Sequence, residues 1–531
     1  MPFTSCNRPR RHRLLPVALV FSALLGTLHG KRPEAPPPRP NLLFIFTDDH
    51  APAALSAYDA ALIHTPQLDR LAREGMRFDR CLVPNSICGP SRATVLTGKY
   101  SHQHGFYDNT RSIFDGSQTT FPKLLQTAGY QTVLIGKWHL ESHPTGFHHW
   151  EILPGQGDYY NPLFLHHGQP VRREGYVTDL ITDLALAWLK ERDPHRPFLL
   201  MVHHKAPHRE WLPALRHLGH DGDRAYPVPP TLLRHANNLG PGARAARMTL
   251  AHDLTPLDLK LVDDPTLNPA QRAVWNAYYQ PRNAAFTNAA LAGEALLRWK
   301  YNRYLHDYLG CIKAVDESVG RLLAHLETAG LATNTLVVYA SDQGFFLGEH
   351  GWFDKRWIYE PSLRAPLLAR WPGVIPAGRV NRDLVSHLDF APTFLELAGA
   401  PVPTDIAGRS LAPLFRGRTP RDWRTSFYYH YYDYPSVHDV PRHYGVVTDR
   451  YKLACFYEPA PLYWELFDRR RDPDETRNLW GNPRYARVQK NLETELARLR
   501  RELRVPETDP VESRVRSAAR EATQQPPKAR P

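Results

Sequence analysis

Four apolar runs constrain this chain most, because each one ends in residues able to do chemistry. Asn41-Leu42-Leu43-Phe44-Ile45-Phe46-Thr47 ends at Asp48-Asp49, and Thr132-Val133-Leu134-Ile135 ends at Lys137 and His139. Phe198-Leu199-Leu200-Met201-Val202 ends at His203, His204 and His208, and Thr335-Leu336-Val337-Val338-Tyr339 ends at Asp342-Gln343. Uninterrupted apolar runs of this length suit strands buried on both faces of a parallel sheet. Helical stretches lie between them; Tyr304 to Ala329 has apolar residues near helical spacing and Gly330 as its stop. The alternation predicts an α/β fold with a mainly parallel sheet flanked by helices. In such sheets ligands bind beyond the carboxyl ends of the strands, where all four polar clusters fall.

The organisation around that sheet is read from composition. Four arginines, Arg8, Arg10, Arg11 and Arg13, precede the apolar run Leu14 to Leu28, which reads as a secretory signal over 1–30. An uncleaved anchor is the alternative, although the run is short for a stable membrane span. Secretion or a periplasmic location follows. Residues 31–40 form a proline-rich leader, and 41–418 the catalytic domain, with a loop-rich insertion over 209–299. Tyr428 to Tyr432, Tyr444 to Thr448 and Tyr451 to Cys455 read as short antiparallel strands, and Pro483 to Arg504 as a helix. They predict a smaller antiparallel-sheet subdomain over 419–505, followed by a polar, disordered tail over 506–531.

Charge and cysteines exclude several classes. The formal charge is +12, four of these charges lying in the N-terminal segment, with no dense Lys/Arg block of the kind that grips nucleic acid. A modest basic excess fits attraction of a polyanionic substrate. Of five cysteines, Cys6 lies in the signal and Cys81, Cys311 and Cys455 have no metal-type spacing, so the chain is no disulfide scaffold. The pairs Asp48-Asp49 and Asp342-Gln343 offer hard oxygen donors, which suit calcium or magnesium. An Asp-Asp pair by itself also fits a solvated turn; the second pair favours the metal reading.

The run Cys88-Gly89-Pro90-Ser91-Arg92 with Leu96-Thr97-Gly98 resembles the signature of the sulfatase family. The segment reads as a helix with Pro90 near its first turn, which puts residue 88 where backbone N–H groups favour an anion. The resemblance implies an alkaline-phosphatase-like α/β fold and oxidation of Cys88 to formylglycine by a formylglycine-generating enzyme. It also implies one calcium held by Asp48, Asp49, Asp342 and Gln343 that touches residue 88. The family often has Asn at the position of Gln343; Gln keeps the amide oxygen, so the difference lies mainly in reach.

Gly136-Lys137-Trp138-His139 resembles the family's second basic motif, with Lys137 on the sulfate and His139 assisting collapse of the hydrate. Lys137 and His139 alternate along an extended strand end and so face one side. Ala206-Pro207-His208 matches the position of the leaving-group acid, and His350 to Arg356 matches the stretch that supplies a second sulfate-binding lysine, Lys355. Arg92 is implied to steady the hydrate, while His203 and His204 read as structural. In the implied cycle a hydroxyl of hydrated formylglycine attacks sulfur while His208 protonates the departing alcohol; collapse of the sulfated hemiacetal then expels sulfate.

The stretches Lys205 to Trp211, Phe353 to Trp357 and Arg442-His443-Tyr444-Gly445 look like bacterial carbohydrate sulfatases grouped with N-acetylglucosamine-6-O-sulfatases. They imply a sulfated carbohydrate substrate carrying a 6-O-sulfate on glucosamine, with His430, Arg442 and His443 reaching the sugar. Another sulfatase specificity stays open, such as iduronate-2-O-sulfate or an aryl sulfate. So do a phosphonate or phosphodiester hydrolase with the same nucleophile and a non-catalytic glycan-binding relative.

Overall fold

The computed structural model describes residues 39–222, 224–233 and 239–509. The 1–30 signal, nearly all of the 31–40 leader and the tail from 510 lie outside the described residues. Ten strands build the main sheet: β1 (Asn41–Thr47), β2 (Met76–Phe78), β3 (Gln131–Lys137), β4 (His149–Leu153), β5 (Leu163–His166), β6 (Gln169–Arg172), β7 (Phe198–His203), β8 (Thr335–Ser341), β9 (Leu367–Arg370) and β10 (Arg379–Asn381). Their order is β10-β2-β9-β8-β1-β7-β3-β4-β5-β6. The four apolar runs are the four adjacent central strands β8, β1, β7 and β3, all parallel. Antiparallel pairing appears only toward the edges, at β9 and at the β4–β5–β6 meander.

The alternation within β1 explains why that run is apolar throughout. Leu43 and Ile45 enter one core cluster, while Leu42, Phe44 and Phe46 enter the other. Each fully buried side chain of this kind contributes about 1.5–3 kcal/mol of transfer free energy. Helices cover both faces. They include α1 (Cys88–Thr97), α2 (Pro269–Ala289), α3 (Gly293–Thr328) and α4 (Phe390–Leu397). Leu305, Leu309 and Ile312 of α3 pack in the first cluster, and Phe390 and Phe394 of α4 in the second.

The insertion is more ordered than its composition predicts. It carries the 21-residue α2, started by a capping box in which Asn268 accepts from the Gln271 amide, with Pro269 at the first helical position. Pro281 and the scattered polar residues hide this helix from a periodicity reading. Helix α3 likewise begins at Gly293, eleven residues before the predicted Tyr304.

The C-terminal sheet has four antiparallel strands, β11 (Ser426–Tyr431), β12 (Arg442–Thr448), β13 (Tyr451–Glu458) and β14 (Tyr463–Asp468). Helix α5 (Ala486–Glu502) buries Leu492 and Leu496. This sheet is tied to the catalytic layer: Tyr429 donates to the Arg356 carbonyl at 2.7 Å and Tyr359 to Glu465 at 2.5 Å. All four cysteines of the described residues are free and buried. Among the described residues no helix is long and apolar enough to cross a membrane.

Candidate active site

The polar cluster forms because neighbouring parallel strands end together. Thr47 of β1 pairs with Ser341 of β8, so Asp48-Asp49 and Asp342-Gln343 emerge side by side. The amide of Asp342 donates to the Thr47 carbonyl at 3.0 Å, and that of Asp49 to Asp342 Oδ1 at 3.1 Å. One oxygen from each of Asp48, Asp49 and Asp342 lies within 4.8 Å of the others, and all three residues are fully buried. Gln343 donates from Nε2 to Asp49 Oδ1 at 2.5 Å, while its buried Oε1 has no hydrogen-bond partner among the described residues. Three packed carboxylates plus an orphaned amide oxygen make a hard-oxygen set that fits a calcium or magnesium ion.

Cys88 enters this cluster from α1. Ile87 caps the helix in extended conformation, Pro90 sits in its first turn and Gly98 ends it with φ 67°. All ten residues of the helix are buried, so it is driven into the core rather than laid on the surface. Cys88 Sγ donates to Asp48 Oδ1 at 3.4 Å and accepts from Gln343 Nε2 at 3.7 Å. Burial, then the Asp48 charge, pushes its thiol up to about 12. An unmodified thiol here is therefore almost entirely protonated at neutral pH and a poor nucleophile.

Cations line the other side. Arg92 donates from Nη2 to Asp342 Oδ2 at 2.9 Å and to Asp48 Oδ2 at 3.3 Å, and from Nη1 to the Lys137 carbonyl at 3.0 Å. Lys137 pairs with Asp48 and donates to Gln156 Oε1. Lys355 donates to Asp49 Oδ2 at 2.7 Å. Burial works against the Asp48 carboxylate, but Lys137, His208, Arg92 and Lys355 overcome it and hold its pKa well below the usual range. Burial prevails for Asp49, raised to about 7, and for Asp342, raised to about 6. Three carboxylates thus face three fixed cations; a divalent cation on the carboxylates leaves an excess positive charge that suits an anionic substrate.

Lys137 and His139 meet at one place by a different route from the predicted one. Strand β3 ends at Lys137, and His139 lies beyond it at φ 54°. Gly136, at φ 105°, is required: a Cβ there would lie 1.9 Å from the His203 carbonyl oxygen of β7. His139 Nε2 is 3.3 Å from Gln156 Nε2. Gln156, in the loop after β4, thus bridges Lys137 and His139, and sequence reasoning missed it. Its only signal is its place just past a strand end.

His208 donates from Nδ1 to the Arg209 carbonyl at 2.6 Å, and its Nε2 lies 3.8 Å from Asp49 Oδ2. Burial, then Lys137, holds its pKa well below the ordinary histidine value, and the same two causes act on His139. His203 Nδ1 lies 3.1 Å from the Lys137 carbonyl and 3.4 Å from Arg92 Nη1, and His204 contacts Ser318 Oγ at 3.1 Å; both rings are buried.

His430 and His443 are corrections. His443 is fully buried; it accepts from the Ile358 amide at 3.1 Å and donates to the Pro441 carbonyl at 2.7 Å. His430 has Tyr428 Oη on Nδ1 at 2.9 Å and Tyr457 Oη on Nε2 at 2.7 Å, with its ring stacked on Tyr432. With both nitrogens taken and both rings enclosed, these histidines hold the sheet together and are withdrawn from sugar contact. Strand alternation told which residues share a face, not that the face is packed. Arg442 is partly exposed and pairs with Glu458 at 2.9 Å and Asp509 at 3.6 Å.

Comparison with known proteins places this geometry. The family model described as sulfatase matches residues 40–400, and one described as the C-terminal part of N-sulphoglucosamine sulphohydrolase matches residues 348–502. The chain is 48% identical over 500 residues to an N-acetylglucosamine-6-O-sulfatase of Bacteroides thetaiotaomicron, covering 90% of this chain and 88% of that protein. It is 28% identical over 439 residues to the human N-acetylglucosamine-6-sulfatase, covering 77% and 70% of the two chains. A solved structure described in complex with its substrate D-glucosamine-2-N,6-O-disulfate superposes with a TM-score of 0.87 at 47% identity, over 89% of this chain and 100% of that one.

Proposed function

The chain belongs to the sulfatase family and is a sulfuric ester hydrolase, and from that premise we propose that it removes the 6-O-sulfate of glucosamine or N-acetylglucosamine in sulfated glycans. The observation that carries the substrate is the likeness, over most of the chain, to the Bacteroides protein named for that activity. The charge of the cluster supports an anionic ester of this kind.

In this reading formylglycine made from Cys88 by a formylglycine-generating enzyme supplies the nucleophile, and calcium on Asp48, Asp49, Asp342 and Gln343 neutralises charge on the sulfate oxygens. Lys137 and Lys355 bind sulfate oxygens, leaving their carboxylate partners to the cation. Arg92 fixes residue 88 through Asp48 and Asp342. His208 gives a proton from Nε2 to the leaving oxygen; the anionic sulfate stabilises the imidazolium that burial alone disfavours. His139, held neutral by burial, assists collapse of the hydrate. Arg442 borders solvent and is kept as a sugar contact. Export through the 1–30 segment completes the proposal.

The test is sulfate release from a panel of defined sulfated mono- and disaccharides, with phosphonate and phosphodiester esters included. The protein is co-expressed with a formylglycine-generating enzyme, and Cys88→Ala is the blank. Release confined to 6-O-sulfated glucosamine supports the reading. Release from another position keeps the sulfatase and replaces the substrate.

A further inference from the structure

A second cluster of ligand-type side chains lies on the outer strands of the sheet. His149 and Glu151 are two apart on β4, so they share a face, and β5 pairs His166 directly opposite Glu151. One ligand atom from each of His149, Glu151 and His166 lies within 4.8 Å of the other two. His166 Nδ1 is 3.2 Å from Glu151 Oε2. Metal–ligand bonds of 2.0–2.1 Å at tetrahedral angles separate neighbouring ligand atoms by about 3.3 Å, so this pair already has the spacing of two ligands of one ion.

The surroundings are those of a ligand set. The Glu151 carboxylate is 2% exposed, and Arg173 Nε holds its Oε1 at 2.5 Å. That contact orients the carboxylate and leaves Oε2 for the histidine side. Partners of this kind aim metal ligands. Among the described residues the His149 and His167 rings have no hydrogen-bond partner, although His149 is half-buried. The His167 ring lies 5.3 Å from His149 and 4.9 Å from His166 at steep angles, so a third imidazole stands beside the cluster. His166 is 44% exposed on its side chain, which gives an ion a path from solvent.

We propose that His149, Glu151 and His166 form a binding site for a divalent transition metal of the zinc class, clipping β4 to β5 outside the catalytic cluster. Two imidazoles and one carboxylate suit zinc and its neighbours, whereas calcium and magnesium take oxygen donors. The ion joins strands of an edge meander that otherwise rests on few ladder bonds, so it stabilises the folded state by mass action.

The test titrates zinc chloride into the calcium-saturated, full-length protein by calorimetry, beside His149→Ala and His166→Ala. One equivalent of zinc is expected on the parent, weakened at least tenfold in each variant, with the melting midpoint raised by zinc only in the parent. Equal zinc binding by parent and variants, or no uptake by the parent, overturns the site. Turnover and the zinc-free melting midpoint of the variants report their folding, since neither residue belongs to the catalytic cluster. Should a variant fail to fold, the visible spectrum of cobalt(II) on the calcium-saturated parent decides: nitrogen-ligated tetrahedral bands are expected, and an all-oxygen octahedral spectrum refutes the proposal.

Discussion

Lys355 donates from Nζ to Oδ2 of Asp49 across 2.7 Å, with both groups sealed from solvent. A lysine assigned to the sulfate and a carboxylate assigned to the metal thus neutralise each other. Burial, opposed by Asp49 and its neighbours, leaves the Lys355 ammonium more stable than usual, its pKa well above the ordinary lysine value. Metal on Asp49 weakens this pair and frees the ammonium for an anion. Metal and sulfate should therefore bind cooperatively.

The carboxylates make metal binding pH-dependent. Burial, opposed by Lys355 and reinforced by Asp48 and Asp342, raises Asp49 to about 7; burial, then Asp48, raises Asp342 to about 6. A carboxyl with a raised pKa keeps its proton up to that pKa, and a metal must displace it. Calcium affinity is therefore full above about pH 7. It falls roughly tenfold per pH unit below about 7, and more steeply below about 6. Calorimetric calcium titration at several pH values measures the slope, and an affinity that stays flat across this window contradicts the assignment. Chelation is expected to lower turnover in parallel.

Residue 88 and His208 divide the chemistry. Cys88→Ser is expected to lower kcat by at least about 10³-fold, because an unmodified serine, once sulfated, has no second hydroxyl on its carbon to expel sulfate and regenerate the nucleophile. His208→Ala is expected to lose about 10²–10⁴-fold in kcat with a smaller change in KM, the pattern of a proton donor rather than a binding group. Steady-state sulfate release measures both. Retention of full turnover by Cys88→Ser is the outcome that sinks the nucleophile assignment.

The central sheet and its acidic corner were legible because they depend on local pattern. Leu42 to Phe46 is apolar without a break only because its two faces meet two different cores. The pairs Asp48-Asp49 and Asp342-Gln343 sit at strand ends that any parallel arrangement brings to one side. What depends on long-range packing was hidden. Gln156 reaches Lys137 and His139 only because β4 lies beside β3, and a sequence does not display that neighbour. His443 looked available because its burial is set by Trp357 and Phe456, distant in the chain. Helix α2 was masked by Pro281 and by polar residues that face solvent, although Asn268-Pro269 with Gln271 was a readable start signal.

Removal of a buried histidine tests the correction in the C-terminal sheet. His443→Ala leaves the buried Ile358 amide without its acceptor and opens a cavity beside Phe456. A cost of about 2–4 kcal/mol in unfolding free energy is expected. The KM of the folded fraction should stay within about twofold of the parent, since a group that does not touch sugar carries no uniform binding. Denaturant melts and Michaelis curves on the same preparation separate the two; a raised KM with parent-like stability restores the sugar-contact role.

Gln156 is the sharpest test of how the basic side of the cluster is organised. Its Oε1 accepts from Lys137, so its Nε2 is the donor that faces His139 Nε2 at 3.3 Å. A neutral His139 must then carry its proton on Nδ1, the nitrogen buried without a partner among the described residues. Gln156→Glu keeps the volume and replaces that donor with an acceptor, so Nε2 must be protonated instead. The carboxylate also stabilises a charged imidazole and raises the His139 pKa. Because a wrong imidazole tautomer costs an enzyme orders of magnitude, kcat is expected to fall by at least about 10²-fold. The loss should ease at high pH less than it does for a simple charge effect, since the tautomer stays wrong after deprotonation. Gln156→Ala, which imposes neither tautomer, should lose less. A Glu variant no worse than the Ala variant across the pH range shows that Gln156 only fills space between Lys137 and His139.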